Sequence, residues 1–173
     1  MTEKRTTHPE VGLRLALFAT AVLTSSTVAG PAEPELTLVQ ETNIEPLPAA
    51  VSNNAVASVK AGRRQYVVSF NGLAEGRTHA DTLASTWVYD SRSKSWSEAD
   101  PVPGGAGRLA SVAASADGLV YVFGGYTVDE DGAEVSTPWT HVFDPRKRVF
   151  EERAPIPVPV DDAVAVTFDD RYI

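Results

Sequence analysis

From residue 41 onward the apolar residues fall in short runs broken by Gly, Asp, Asn and Pro, and none of these runs follows helical spacing. The pattern is clearest over 109–115, 119–124, 139–143 and 148–153, four segments that each predict a β-strand. Valine and aromatic residues dominate Leu119–Phe123 without strict polar alternation, as in a strand covered on both faces. Asp117-Gly118 between the first two runs is a two-residue hairpin signal, and Asp144-Pro145 opens the turn before the fourth. A four-stranded antiparallel unit with two apolar faces cannot bury itself alone. Stacking on copies of itself solves that problem.

The chain carries such copies. Pro46-Leu47-Pro48, Pro101-Val102-Pro103 and Pro155-Ile156-Pro157 recur at spacings of 55 and 54. Val56–Val59 aligns with Leu109–Val112, and Tyr66–Gly72 with Leu119–Gly125, both at an offset of 53. Trp87–Asp90 aligns with His141–Asp144, and Trp96 with Phe150, at 54. A third unit opens with Ala163–Phe168, followed by Asp170–Ile173.

A hydrophobic strand ending in Gly124-Gly125, then a variable loop, Val142-Phe143-Asp144, the aromatic Phe150 and Pro155-Ile156-Pro157 together resemble the Kelch repeat. The first unit departs from that pattern by placing Asn71-Gly72 where the second has two glycines; Asn tolerates positive φ better than most residues. The resemblance covers about residues 41–173. It implies an all-β fold, a Kelch-type β-propeller of four-stranded antiparallel blades with about two and a quarter blades present. The expected organisation is blade 1 at 49–103, blade 2 at 104–160 and the start of blade 3 at 161–173, with 41–48 closing the last blade of a larger ring.

The first residues read differently. Lys4, Arg5 and Arg14 precede the apolar stretch Leu15–Leu23, small residues follow to Ala29, and Gly30–Glu35 is rich in Pro and Glu. These are the parts of a secretory signal peptide over 1–29, with cleavage expected after Thr27-Val28-Ala29 and a linker at 30–40. The apolar stretch is about half the ~20 residues a membrane span needs, so no stable span is expected after cleavage, and the product is expected in the periplasm or outside the cell. The net charge of −8 provides no basic stripe for nucleic acid. The absence of Cys excludes disulfides and thiolate nucleophiles in this chain, and it weighs against the Cys–Tyr crosslink of galactose oxidase-like propellers, whose Kelch-like blades these repeats also resemble.

In a propeller meander the loops from strand 4 to strand 1 and from strand 2 to strand 3 share one rim. The first kind carries Asn53, Asn54, Arg108, Asp161 and Asp162. The second carries Arg77, His79 and Asp81, and the acidic run Asp129–Asp131 with Glu134. Amide, guanidinium and carboxylate groups together suit a polyhydroxylated ligand, because hydroxyls both donate and accept. Arg108 follows the flexible Gly104–Gly107 and is able to grip a carboxylate bidentately; a salt bridge to Asp161 or Asp162 on the next blade is the plainer role. Ligand binding is therefore assigned to Arg108, Asn53, Asn54 and Arg77. The exported Kelch propellers resembling sialic acid mutarotases imply a cofactor-independent reaction needing a general acid and base, for which Asp161, Asp162 and His79 are the candidates. A non-enzymatic module binding a protein or cell-surface partner is the other reading. No metal site is expected: the acidic loop lacks alternating ligand spacing. His141, Asp90, Asp144 and the strand aromatics read as packing and turn residues.

Overall fold

The structure, a computed structural model, describes residues 44–173. The expected signal peptide, the linker and residues 41–43 of the expected closing strand lie outside the described residues. Blade 1 is a meander of β1 (Ala55–Ala61), β2 (Arg64–Leu73), β3 (Thr82–Asp90) and β4 (Ser95–Ala99), hydrogen bonded in that order, with one 3-10 turn at His79–Asp81. Blade 2 contains β5 (Val112–Ala116), β6 (Leu119–Phe123), β9 (Thr140–Asp144) and β10 (Val149–Arg153) in the same antiparallel order. Between its second and third strands rises a separate hairpin, β7 (Tyr126–Val128) with β8 (Glu134–Ser136), where the sequence was read only as a loop.

The blades stack through a shared apolar seam. Val68 and Phe70 of β2, Val88 of β3, Val120 and Val122 of β6, and Phe143 of β9 are all sealed from solvent. Phe70 meets Phe143 edge-on at 5.8 Å, and Phe150 lies 4.8 Å from Phe143 and 6.0 Å from Phe70. Such edge-on aromatic pairs add about 0.5–1.5 kcal/mol each beyond their buried area. The other face of β6, Leu119, Tyr121 and Phe123, is half-buried, so the two-sided cover read from its valines is complete only on the side of blade 1.

The repeat holds in strands 2 and 3 at the expected offsets: Val67 pairs with Tyr89 as Val120 pairs with Phe143. Strand 1 differs. Val59 pairs with Tyr66, and Ala116 with Leu119, so equivalent positions stand 57 residues apart instead of 53. The cause is a longer first hairpin in blade 1, which runs on to its Gly62-Arg63 turn, whereas blade 2 turns at once on Asp117 and Gly118, both at positive φ. This register makes Asn53, Ala110 and Asp162 equivalent, and all three are left-handed, with φ of 54°, 52° and 48°. It also aligns the bridges Ser52–Leu73 and Leu109–Tyr126.

Among the described residues, 44–48 and 163–167 lie outside regular strands. Residues 44–48 are irregular, although the Glu45 carbonyl accepts a 2.6 Å hydrogen bond from the Trp96 indole. Ala163–Phe168 runs along blade 2 with Thr167 Oγ1 donating to the Ser115 carbonyl, then turns on Asp169 and Asp170, both left-handed. Among the described residues of this segment, the Phe168–Tyr172 bridge forms.

Gly124 shows why the glycine pair is needed. Its φ is +55°, and a Cβ there would run into the carbonyl oxygen of Val160. Gly124→Ala is expected to cost about 3 kcal/mol or more, since it adds a clash to a strained backbone. Ala110→Gly, at a position that already strains a Cβ, should be neutral or stabilising by about 0.5 kcal/mol. Urea unfolding midpoints of the two variants, with unchanged m-values, check both signs.

Candidate functional site at the loop rim

The 4→1 and 2→3 connections share one rim and are bonded into a belt. Ser52 and Leu73 exchange backbone hydrogen bonds within blade 1, as Leu109 and Tyr126 do within blade 2. Across blades, the Gly72 amide donates to the Arg108 carbonyl, and the Gly125 amide to the Val160 carbonyl. Gly107 lies so close to Thr82 that any side chain would strike its backbone. The loops are therefore held largely by main-chain bonds, which leaves the side chains of Glu75 and Arg77 free for other work.

On blade 1 the rim encloses a recess of about 500 Å³ lined by Ala50, Val51, Ser52, Leu73, Ala74, Glu75 and Arg77. Its outer wall is a closed loop: the Ala74 amide donates to the Asp81 carbonyl and the Arg77 amide to the Ala74 carbonyl, with Arg77 left-handed at φ 57°. The Asp81 carboxylate is turned inward onto the Thr78 amide (2.9 Å) and hydroxyl (2.6 Å), bonds that hold it below the usual carboxylate range. Asp81 is thus a loop brace. Among the described residues nothing bonds or ion-pairs the exposed Arg77 guanidinium. Glu75, passed over in the sequence, supplies a carboxylate in the same recess; its loop position was the available signal.

Of the other expected ligand residues, Asn53 is exposed and follows Ser52 of the recess lining, without itself lining the recess. Asn54 instead turns down to Ser69, its Nδ2 donating at 2.8 Å. His79 is exposed on the same blade 1 loop as Arg77. Asp161 and Asp162 enter blade 3, where Asp161 accepts a short hydrogen bond from Ser136, another residue the sequence did not single out. Partial burial, with Glu134, Asp162 and Asp161 nearby, raises the Tyr126 phenol above its usual value. The rim thus has a blade 1 side carrying Arg77 and an acidic side at the β8–blade 3 junction.

Arg108 lies beneath the rim. It is only 1% exposed, and it ion-pairs with neither Asp161 nor Asp162. Its Nη1 donates at 2.7 Å to the Gly124 carbonyl, its Nη2 stands 3.4 Å from His141 Nδ1, and its guanidinium lies 5.5 Å from the Trp139 ring centre. Burial pushes its pKa down to about 10, so it remains a cation at neutral pH. In the structural register its equivalents are Val51 and Val160.

A second recess, of about 560 Å³, opens on the opposite rim between Lys60, Asp117, Asp144, Arg146, Lys147 and Asp170. Asp144 already holds Arg146 at 3.4 Å and Lys147 at 3.7 Å, and it accepts from the Arg146 amide as a turn residue. Among the described residues no group of three or more His, Cys, Asp and Glu is placed to hold a metal ion.

The comparisons with known proteins agree with this architecture. The Kelch motif model matches residues 107–157, the span of blade 2. A solved structure titled "Structure of YjhT" matches over 73% of this chain at 18% identity with a TM-score of 0.53. The fold is that of a Kelch-type β-propeller. The chain spans 34% of that structure's length. The search of curated proteins finds no match. Within the Kelch blade, the first glycine of the pair offers its carbonyl to Arg108, Ser111 and Thr137 together. Arg108→Lys keeps the charge but loses the planar fork, and it is expected to lower stability by about 1–2 kcal/mol in urea unfolding.

Proposed function

We propose that the protein is an exported Kelch propeller that binds a carbohydrate at the loop rim. The observation that carries this reading is the blade 1 recess, where a free guanidinium (Arg77), a carboxylate (Glu75) and a hydroxyl (Ser52) stand around an otherwise largely apolar concavity. Sugar hydroxyls need both donors and acceptors, and an apolar floor suits the C–H face of a sugar ring. Arg77 is the residue for a carboxylate on an acidic sugar. Arg108 supports the rim from below. The finer reading, a sugar mutarotase working without a cofactor, would draw its proton-transfer groups from Asp161, Asp162 and His79, of which Asp161 is positioned by Ser136.

A protein partner is the second reading, favoured by the β7–β8 hairpin. Val135 there is 54% exposed, next to the acidic turn at 129–131.

Titration calorimetry against neutral and acidic monosaccharides tests the first reading. Arg77→Ala is expected to weaken binding of an acidic sugar about tenfold or more, with the unfolding midpoint unchanged because the side chain is exposed. Equal affinity in Arg77→Ala and Glu75→Gln would remove the recess as the site. Anomerisation followed by proton NMR separates an enzyme from a binder.

A further inference from the structure

Below the rim lies a titratable contact that sugar binding does not use. A guanidinium only donates, so His141 Nδ1, 3.4 Å from Arg108 Nη2, acts as the acceptor and carries no proton. Both side chains are buried, at 1% and 4% exposure. What Arg108 holds is the root of the β7–β8 hairpin. Its Nη1 bonds the carbonyl of Gly124, where the chain leaves β6, at 2.7 Å. The same oxygen accepts from Thr137, where the chain returns, at 3.1 Å, and the Thr137 amide donates to the Gly125 carbonyl at 2.7 Å.

We propose that the Arg108–His141 contact is an acid-released latch on the β7–β8 hairpin. With Nδ1 unprotonated, the imidazole steadies the guanidinium on the Gly124 carbonyl. A proton at Nδ1 replaces the acceptor with a second cation, the two repel, and the carbonyl that ties both ends of the hairpin loses its charged donor.

The surroundings limit what else can answer that proton. On β10 Glu152 stands opposite His141 in register and favours the protonated ring; on β6 the opposite residue is Val122. On β9 itself Asp144 is held by Arg146 and Lys147. Across the seam, β2, β3 and β4 bring Phe70, Thr86 and Ala99 into one row, while Arg64 pairs with Asp90 at 3.0 Å at the other end of the sheet. Glu98 stands in the row of Trp87, whose side chains face away from blade 2, and Arg148 is spent on the Ser97 and Glu98 carbonyls. β5 carries no charged residue. Burial first, then Arg108, lowers the His141 pKa from 6.5, against a smaller pull from Glu152. A depressed histidine stabilises the fold above the unfolded value, and that stability is lost as pH falls through the folded value. The latch therefore opens on the acid side.

Hydrogen exchange of the full chain, corrected for intrinsic rates, at about pH 7.5 and about pH 5 reads the latch directly. Protection over residues 124–137 is expected to fall about tenfold on acidification while β2 and β3 keep theirs. His141→Gln, a neutral side chain that still accepts a hydrogen bond, should remove that pH dependence. Imidazole NMR of the unmodified chain should show His141 titrating over the same pH range as the hairpin opens, so the test does not depend on the variant folding. Unchanged protection, equal loss in β2 and β3, the same pH dependence in His141→Gln, or His141 titrating with no response at 124–137 would each overturn the latch.

Discussion

Phe70 enters the seam from blade 1, Phe143 and Phe150 meet it from blade 2, and the three rings lie within 6.0 Å of one another. Everything else depends on that meeting. Each blade is a sheet with apolar residues on both faces, and a lone sheet of this size leaves one of them wet. Stacking removes Val68, Phe70, Val120, Val122 and Phe143 from water together, so the two meanders stand or fall as a pair.

Close stacking dictates the chemistry of the rim. When blades approach within side-chain contact, their connections come nearer than Cβ atoms allow, and glycine is required at Gly107 and Gly124. The belt of main-chain bonds that results does the structural work usually left to polar side chains. Arg77 and Glu75 are consequently uncommitted, which separates them from Asp81, Asp90 and Asp144, whose carboxylates are tied into turns. Commitment, more than residue type, separates a candidate ligand group from a brace.

That distinction is why the fold was legible in the sequence and the site only partly so. Alternation, turn dipeptides and the repeat lie along one dimension, and they located β6, β9 and β10 to within a residue or so. They failed where two dimensions matter. The four extra residues of the first hairpin in blade 1 shift the register of strand 1 without disturbing the proline marks, so Val56–Val59 was aligned with residues that are not its equivalents. Arg108 was read as a rim residue because it follows a glycine-rich loop; nothing local reveals that a carbonyl and an imidazole wait for it below. The β7–β8 hairpin had a signal, Asp131-Gly132 between alternating residues, hidden by treating 126–138 as a variable insertion.

Arg108 also explains how rim and seam are connected. A buried guanidinium without a carboxylate is costly, and its neighbours here are a carbonyl, an imidazole and an indole face, none of which carries a full negative charge. A carboxylate partner would hold the cation tightly and make the contact insensitive to pH near neutrality. The carbonyl makes a weaker bond but a directional one, and it belongs to the residue that anchors the hairpin at both ends. The stability of the hairpin is thus set at the seam, while Glu134 on its outer side remains free to meet whatever occupies the rim.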